Sequence, residues 1–176
     1  MASVGDFGVI AAWLGVLTAA SFAARAVTGA PPAPATVPVP PVVYDLAAFT
    51  MTVLPVGAYL SATEAGRHQA TAGKRWQGLR VTTAAGERIG WRRAVVRNAV
   101  KLLPWQLAHL AVARWMRGLD RSPLAWTAYG LSLVTAASTV AVALRDRQGR
   151  ALHDLVARTR VVDALVSCPA RRAGGR

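Results

Sequence analysis

Residues 124–144 run for 21 positions without one charged side chain, and residues 7–27 do so with a single exception, Arg25. Runs of this length make roughly 30 Å of helix at 1.5 Å per residue, enough to cross a bilayer. A third run, 42–62, carries only Asp45, near its start, and has Pro55 inside it. The charge is held elsewhere. Eight Lys or Arg lie between Arg67 and Arg97 and eight more between Arg145 and Arg176. A chain that is 53% hydrophobic yet carries a formal charge of +13 is therefore apolar spans with basic flanks, and not a soluble basic domain. Nucleic acid is accordingly not an expected partner.

The amino-terminal run lacks the Lys or Arg of a signal n-region, so it reads as a retained span. Ala11, Gly15, Ala19 and Ala23 recur at i+4 along it, a small-residue stripe suited to close helix packing in lipid. Residues 28–41 hold six prolines and no charge, which predicts a stiff extended loop on the outer face. In the second run, Pro55 is expected to kink the helix. Asp45 is expected at headgroup depth near the outer end.

Residues 63–98 form a basic hub punctuated by Gly66, Gly73, Gly78, Gly86 and Gly90. Within it, Leu79 to Thr83 is β-prone, 84–87 resembles a turn, and Arg88 to Trp91 is able to return as a hairpin strand. Gly73-Lys74 does not make a phosphate loop, because Arg75 follows the lysine. A helix starting at Trp91 should enter the membrane, giving a span at 99–116. Its Asn98, Lys101, Gln106 and His109 fall within about 140° of one another at 100° per residue, a polar stripe that should face other helices. Lys74, Arg75, Arg92, Arg93 and Arg97 are expected to meet anionic lipid headgroups or a partner protein.

The tail offers a short helix near 152–157 and a β-prone Thr159 to Val162 able to add a strand to the hub. Residues 167–176 are expected to be a disordered basic tail. The single cysteine, Cys168, excludes an intrachain disulfide. The predicted architecture is an all-α membrane protein of four spans (7–27, 42–62, 99–116, 124–144) with a small cytoplasmic β-hairpin cap. The basic flanks put both termini on the cytoplasmic side of the membrane. No nucleophile–base–acid arrangement, metal-ligand cluster or nucleotide loop is visible, so neither an enzyme nor a cofactor is expected.

Hub and tail together resemble the RDD family of small bacterial membrane proteins. The resemblance lies in Thr71-Ala72-Gly73-Lys74-Arg75 with Gly78-Leu79-Arg80-Val81, in Trp91-Arg92-Arg93-Ala94 with Arg97-Asn98, and in Leu152-His153-Asp154-Leu155-Val156-Ala157 with Thr159-Arg160-Val161-Val162. The family is named for an arginine and two aspartates, which Asp6 and Asp154 match here. No arginine precedes Asp6, so either the chain lacks it or its start is shorter than the usual form. The resemblance implies assistance to transport of a small ion or solute. The carboxylates of Asp6, Asp45 and Asp154 would exchange protons with cations, His109 would relay protons, and Lys101 or Arg97 would balance charge. His153 stands next to Asp154 but on a helix should point away from it. A different reading is a scaffold that binds anionic lipid or a soluble protein through the hub; a homo-oligomer fits either.

Overall fold

A computed structural model describes residues 2–29 and 40–164, with residues 2–7 as helix backbone only. The side chain of Asp6, most of the proline loop, Cys168 and the tail 167–176 lie outside the described residues. The fold is mostly helical. Helix α1 is Ala2–Thr28; α2 is Pro41–Ala48, continued through a π-helical turn Phe49–Val53 into α3, Leu54–Ala65. A short helix α4, Ala72–Trp76, leads into strand β1, Leu79–Thr83. Then follow the long helices α5, Trp91–Trp115, and α6, Pro123–Arg145, the short α7, Leu152–Ala157, and strand β2, Thr159–Asp163.

Among the described residues three helical stretches are long and apolar enough to cross a membrane: Gly8–Thr28, Pro41–Ala65 and Pro123–Arg145. Helix α5 is as long, at 25 residues, but it is the least apolar of the long helices. Its arginines and polar stripe are the reason. It is flanked by α3 and α6 and roofed by α7.

The π turn sits directly before Pro55. Proline has no N–H to give the carbonyl four residues back, and its ring crowds that carbonyl. Widening the helix over Phe49–Val53 relieves the crowding and leaves the Met51 carbonyl without its usual donor. The Trp13 indole Nε1 donates to that oxygen at 3.1 Å, tying α1 to the proline bulge. Helix α1 also packs against α4, and its Val9, Ile10 and Trp13 line a depression with Pro55, Val56 and Tyr59 of α3. Its Ala11–Ala23 stripe faces away from the rest of the described chain, and nothing lies within 4 Å of a Cβ built on Gly15. On α3, by contrast, Gly57 does meet a neighbour: a Cβ built on it would lie 3.4 Å from the Leu102 side chain.

The cap is a two-stranded antiparallel sheet in which Leu79 pairs with Asp163 and Thr83 with Thr159. The expected tail strand is therefore present, whereas the expected hairpin return is reduced to one bridge, Thr82 to Arg88. The reason is local. The second edge of Val81 is already taken by Gln69, whose backbone carbonyl accepts from Val81 N at 2.7 Å and whose side-chain Nε2 donates to the Val81 carbonyl at 3.0 Å. Val81, Ile89 and Ala94, all buried, with Ala65 against them, fasten the sheet to the ends of α3 and α5.

A buried ionic network under the cap

Helix α5 turns Ala94, Arg97 and Asn98 inward, a spacing of three and four that puts them on one face. Ala94 leaves no bulk there, so Arg97 lies between α3 and the cap, 1% exposed. Its Nε is 3.1 Å from Glu64 Oε2, and its Nη1 pairs with Asp154 Oδ1 and donates to Thr159 Oγ1 at 2.8 Å. Glu64, fully buried at the end of α3, also pairs through Oε1 with Lys74 Nζ of α4. Asn98 Nδ2 donates to Glu64 Oε2 at 3.1 Å and to the Ala94 carbonyl at 2.9 Å. Four elements distant in sequence thus meet through two carboxylates and two cations. Lys101 lies within electrostatic reach of Glu64 and His153.

Asp154 is placed by its own helix. The turn after α6 is pinned by Asp146, which accepts from the backbone N–H of Gln148 (3.0 Å) and Arg150 (2.9 Å) and pairs with the Arg150 guanidinium. Helix α7 then follows its N-cap Ala151, whose N–H is 3.3 Å from Asp154 Oδ2. This is half of a capping box: an acidic residue at the third helical position reaching back to the N-cap. Arg158, with φ +54°, ends α7 and swings the chain into β2. The hydroxyl of Thr159, the first residue of β2, donates to Asp154 Oδ1 at 3.3 Å.

The sequence-derived candidates fall into three places. Lys74, Arg97, His153 and Asp154 come together in this network. Lys74 and Arg97 are consequently not available to lipid headgroups, since both are buried against carboxylates. Arg75, Arg92 and Arg93 are exposed as expected. His153 does reach its neighbour, with Nε2 3.4 Å from Asp154 Oδ2, because the carboxylate leans back toward the N-cap instead of radiating from α7. Asp45 belongs to a separate cluster at the opposite end of α5, where the Arg114 guanidinium pairs with it, its Nε at 3.1 Å, and Arg117 lies 4.0 Å away. Arg117 also stacks over the Tyr44 ring, 4.2 Å from its centre. His109 stands between the clusters, about 16 Å along the helix from Asn98. There its Nδ1 is 2.9 Å from the Trp105 carbonyl, and its ring meets Trp105 edge-on. Asp6 lies outside the described side chains.

Glu64 is the residue that sequence reasoning missed. One signal for it exists: it is the only acidic residue between Asp45 and Glu87, in a stretch otherwise dense in cations.

Burial pushes the His153 imidazole down to about 4, Arg97 adds repulsion, and Asp154 only partly opposes them. In the unfolded chain this histidine titrates near 6.5. Between those two values the unfolded state binds the additional proton, so folding stability falls as pH drops through the window. Above about 6.5 both states are neutral and the contribution vanishes. The melting temperature of the detergent-solubilised protein should therefore fall more steeply from pH 6.5 to 4 in the wild type than in His153→Gln. Parallel profiles would exclude His153 as the source.

Three membrane-length helices capped by a small sheet, with a charged network at the junction, define a helical membrane protein. The sequence model of the RDD family matches residues 1–158, and the chain belongs to that family. No curated protein and no solved structure matches the chain.

Proposed function

We propose that the protein crosses the bacterial cytoplasmic membrane four times, with α5 as the remaining span, and exchanges a small cation for a proton at the buried network. Two features support α5 as a span. Arg97 and Arg114 mark the two charge clusters and lie about 25 Å apart along the helix, close to the ~30 Å hydrocarbon thickness. Trp91 is exposed at one end, and Trp115, Trp126 and Tyr129 cluster at the other, as in an interfacial aromatic belt. Sixteen of the basic residues lie in 67–97 and 145–176, against Arg117 and Arg121 in the opposite connection, which favours a cytoplasmic cap and termini.

The observation that carries the exchange reading is the buried Glu64–Lys74 pair below the polar stripe of α5. A metal cation taking the Glu64 carboxylate displaces the Lys74 ammonium. A buried ammonium without its counter-ion gives up its proton, so one cation enters as one proton leaves. Arg97 cannot do this, because a guanidinium does not deprotonate in proteins; it holds Asp154 and one Glu64 oxygen fixed while Lys74 moves. The reading thus gives Lys74 the proton and Glu64 the cation.

Reconstitution into liposomes with an imposed pH gradient tests it. Sodium or potassium should collapse the gradient in the wild type. Lys74→Arg keeps the charge and removes the exchangeable proton, so it should insert normally and abolish the cation-dependent flux. Wild-type flux in Lys74→Arg would sink the mechanism.

A further inference from the structure

We propose that the trough between α3 and α5 is a specific seat for one anionic phospholipid, with an acyl chain along the trough and the phosphate at its cap end. The trough is a cavity of about 450 Å³ walled mainly by apolar side chains, among them Phe49, Leu54, Val95, Leu102 and Leu103. It opens outward, where Leu54 and Leu103 are exposed. Trp91 forms its cap-end wall and is shared with a second depression of about 550 Å³ that includes Gly66, Arg88 and Ile89. The two concavities thus adjoin at one side chain. From Trp91 to Leu103 the helix rises about 18 Å, close to the ~15 Å depth of one leaflet.

Charge changes along the same line. Arg88 Nε and Nη2 donate to the Ala65 carbonyl at 3.3 and 2.9 Å, which fixes this guanidinium on the rim of the second depression. Arg92, exposed and on the side of α5 next to the trough-lining residues, follows on the first turn of the helix. Glu87 is the acidic residue nearest in sequence, so the rim is net positive. A partner helix would meet apolar and then cationic surface along its length. A phospholipid has that order built in, hydrocarbon below and phosphate above. The inference rests on α5 as a span and not on cation exchange.

Native mass spectrometry of the delipidated full-length protein tests the seat. The probes are phosphatidylglycerol and phosphatidylcholine of identical chains. A single phosphatidylglycerol adduct should form in preference to phosphatidylcholine and should resist excess inorganic phosphate. Arg92→Ala should reduce the preference about fivefold, from one interfacial charge. Ala99→Phe, or independently Ala58→Phe, fills the trough and should remove the adduct, whereas Val134→Phe on α6 should leave it intact. Equal retention of the two lipids, displacement by phosphate, or adducts that survive both trough-filling variants would overturn the proposal.

Discussion

Replacing Arg97 with methionine is expected to destabilise the protein by about 3–5 kcal/mol, the range seen when one partner of a buried ion pair is removed. The magnitude follows from what stays behind. Glu64 would keep only Lys74 and Asn98, Asp154 would lose its guanidinium, and Thr159 would lose a donor. Methionine fills much of the arginine stem volume, so packing loss is minor and the effect reports the uncompensated carboxylates. Thermal unfolding in detergent measures it. Arg93→Met, four residues earlier and exposed, is the control, expected within about 0.5 kcal/mol of wild type. Similar melting of the two variants would show that the Arg97 pairs contribute little.

Glu64→Met should destabilise by a similar amount, about 3–5 kcal/mol, because Lys74 and Arg97 then face each other without the carboxylate between them. Lys74→Met leaves Glu64 buried with one cation fewer and is also expected to be harmful. The double variant Glu64→Met/Lys74→Met removes opposite charges together. It should be less damaging than the sum of the singles by about 1–3 kcal/mol, as for residues in direct contact. Strict additivity would mean that the two side chains do not interact in solution. Hydrogen exchange adds a spatial readout: protection should fall first in 72–83 and 159–163, the segments that the network holds against the helices.

Different parts of this molecule were legible in the sequence to different degrees. The apolar runs that became α1, α2–α3 and α6 were plain because length and missing charge are local properties. The strand at Thr159 was readable from β-branched residues beside a β-prone hub. The loss of the hairpin return is not legible, because the competing partner of Val81 is Gln69, and a left-handed glutamine (φ +51°) in a loop has no sequence signature. The network was only half visible. Arg97 resembled Arg92 and Arg93 by composition, and only the burial of Ala94 and Asn98 beside it separates the inward face of α5 from the outward one. Glu64 meets partners 10, 33 and 34 residues away, and Arg97 joins it to an aspartate 90 residues on. No local pattern encodes such distances.

The pairing of β1 with β2 bears on how the protein is made. Thr83 and Thr159 are strand partners, with α5 and α6 lying between them in sequence. Synthesis runs from the amino terminus, so β1 and Glu64 emerge long before Asp154 and β2 exist. Through that interval Arg97 waits for Asp154, and the edge of β1 waits for its strand. Closure of the sheet therefore comes last, once α6 has been delivered, and a nascent chain stalled before residue 159 should hold an open, protease-accessible hub. The cap is in this sense a latch that sets only when the whole set of helices is in place.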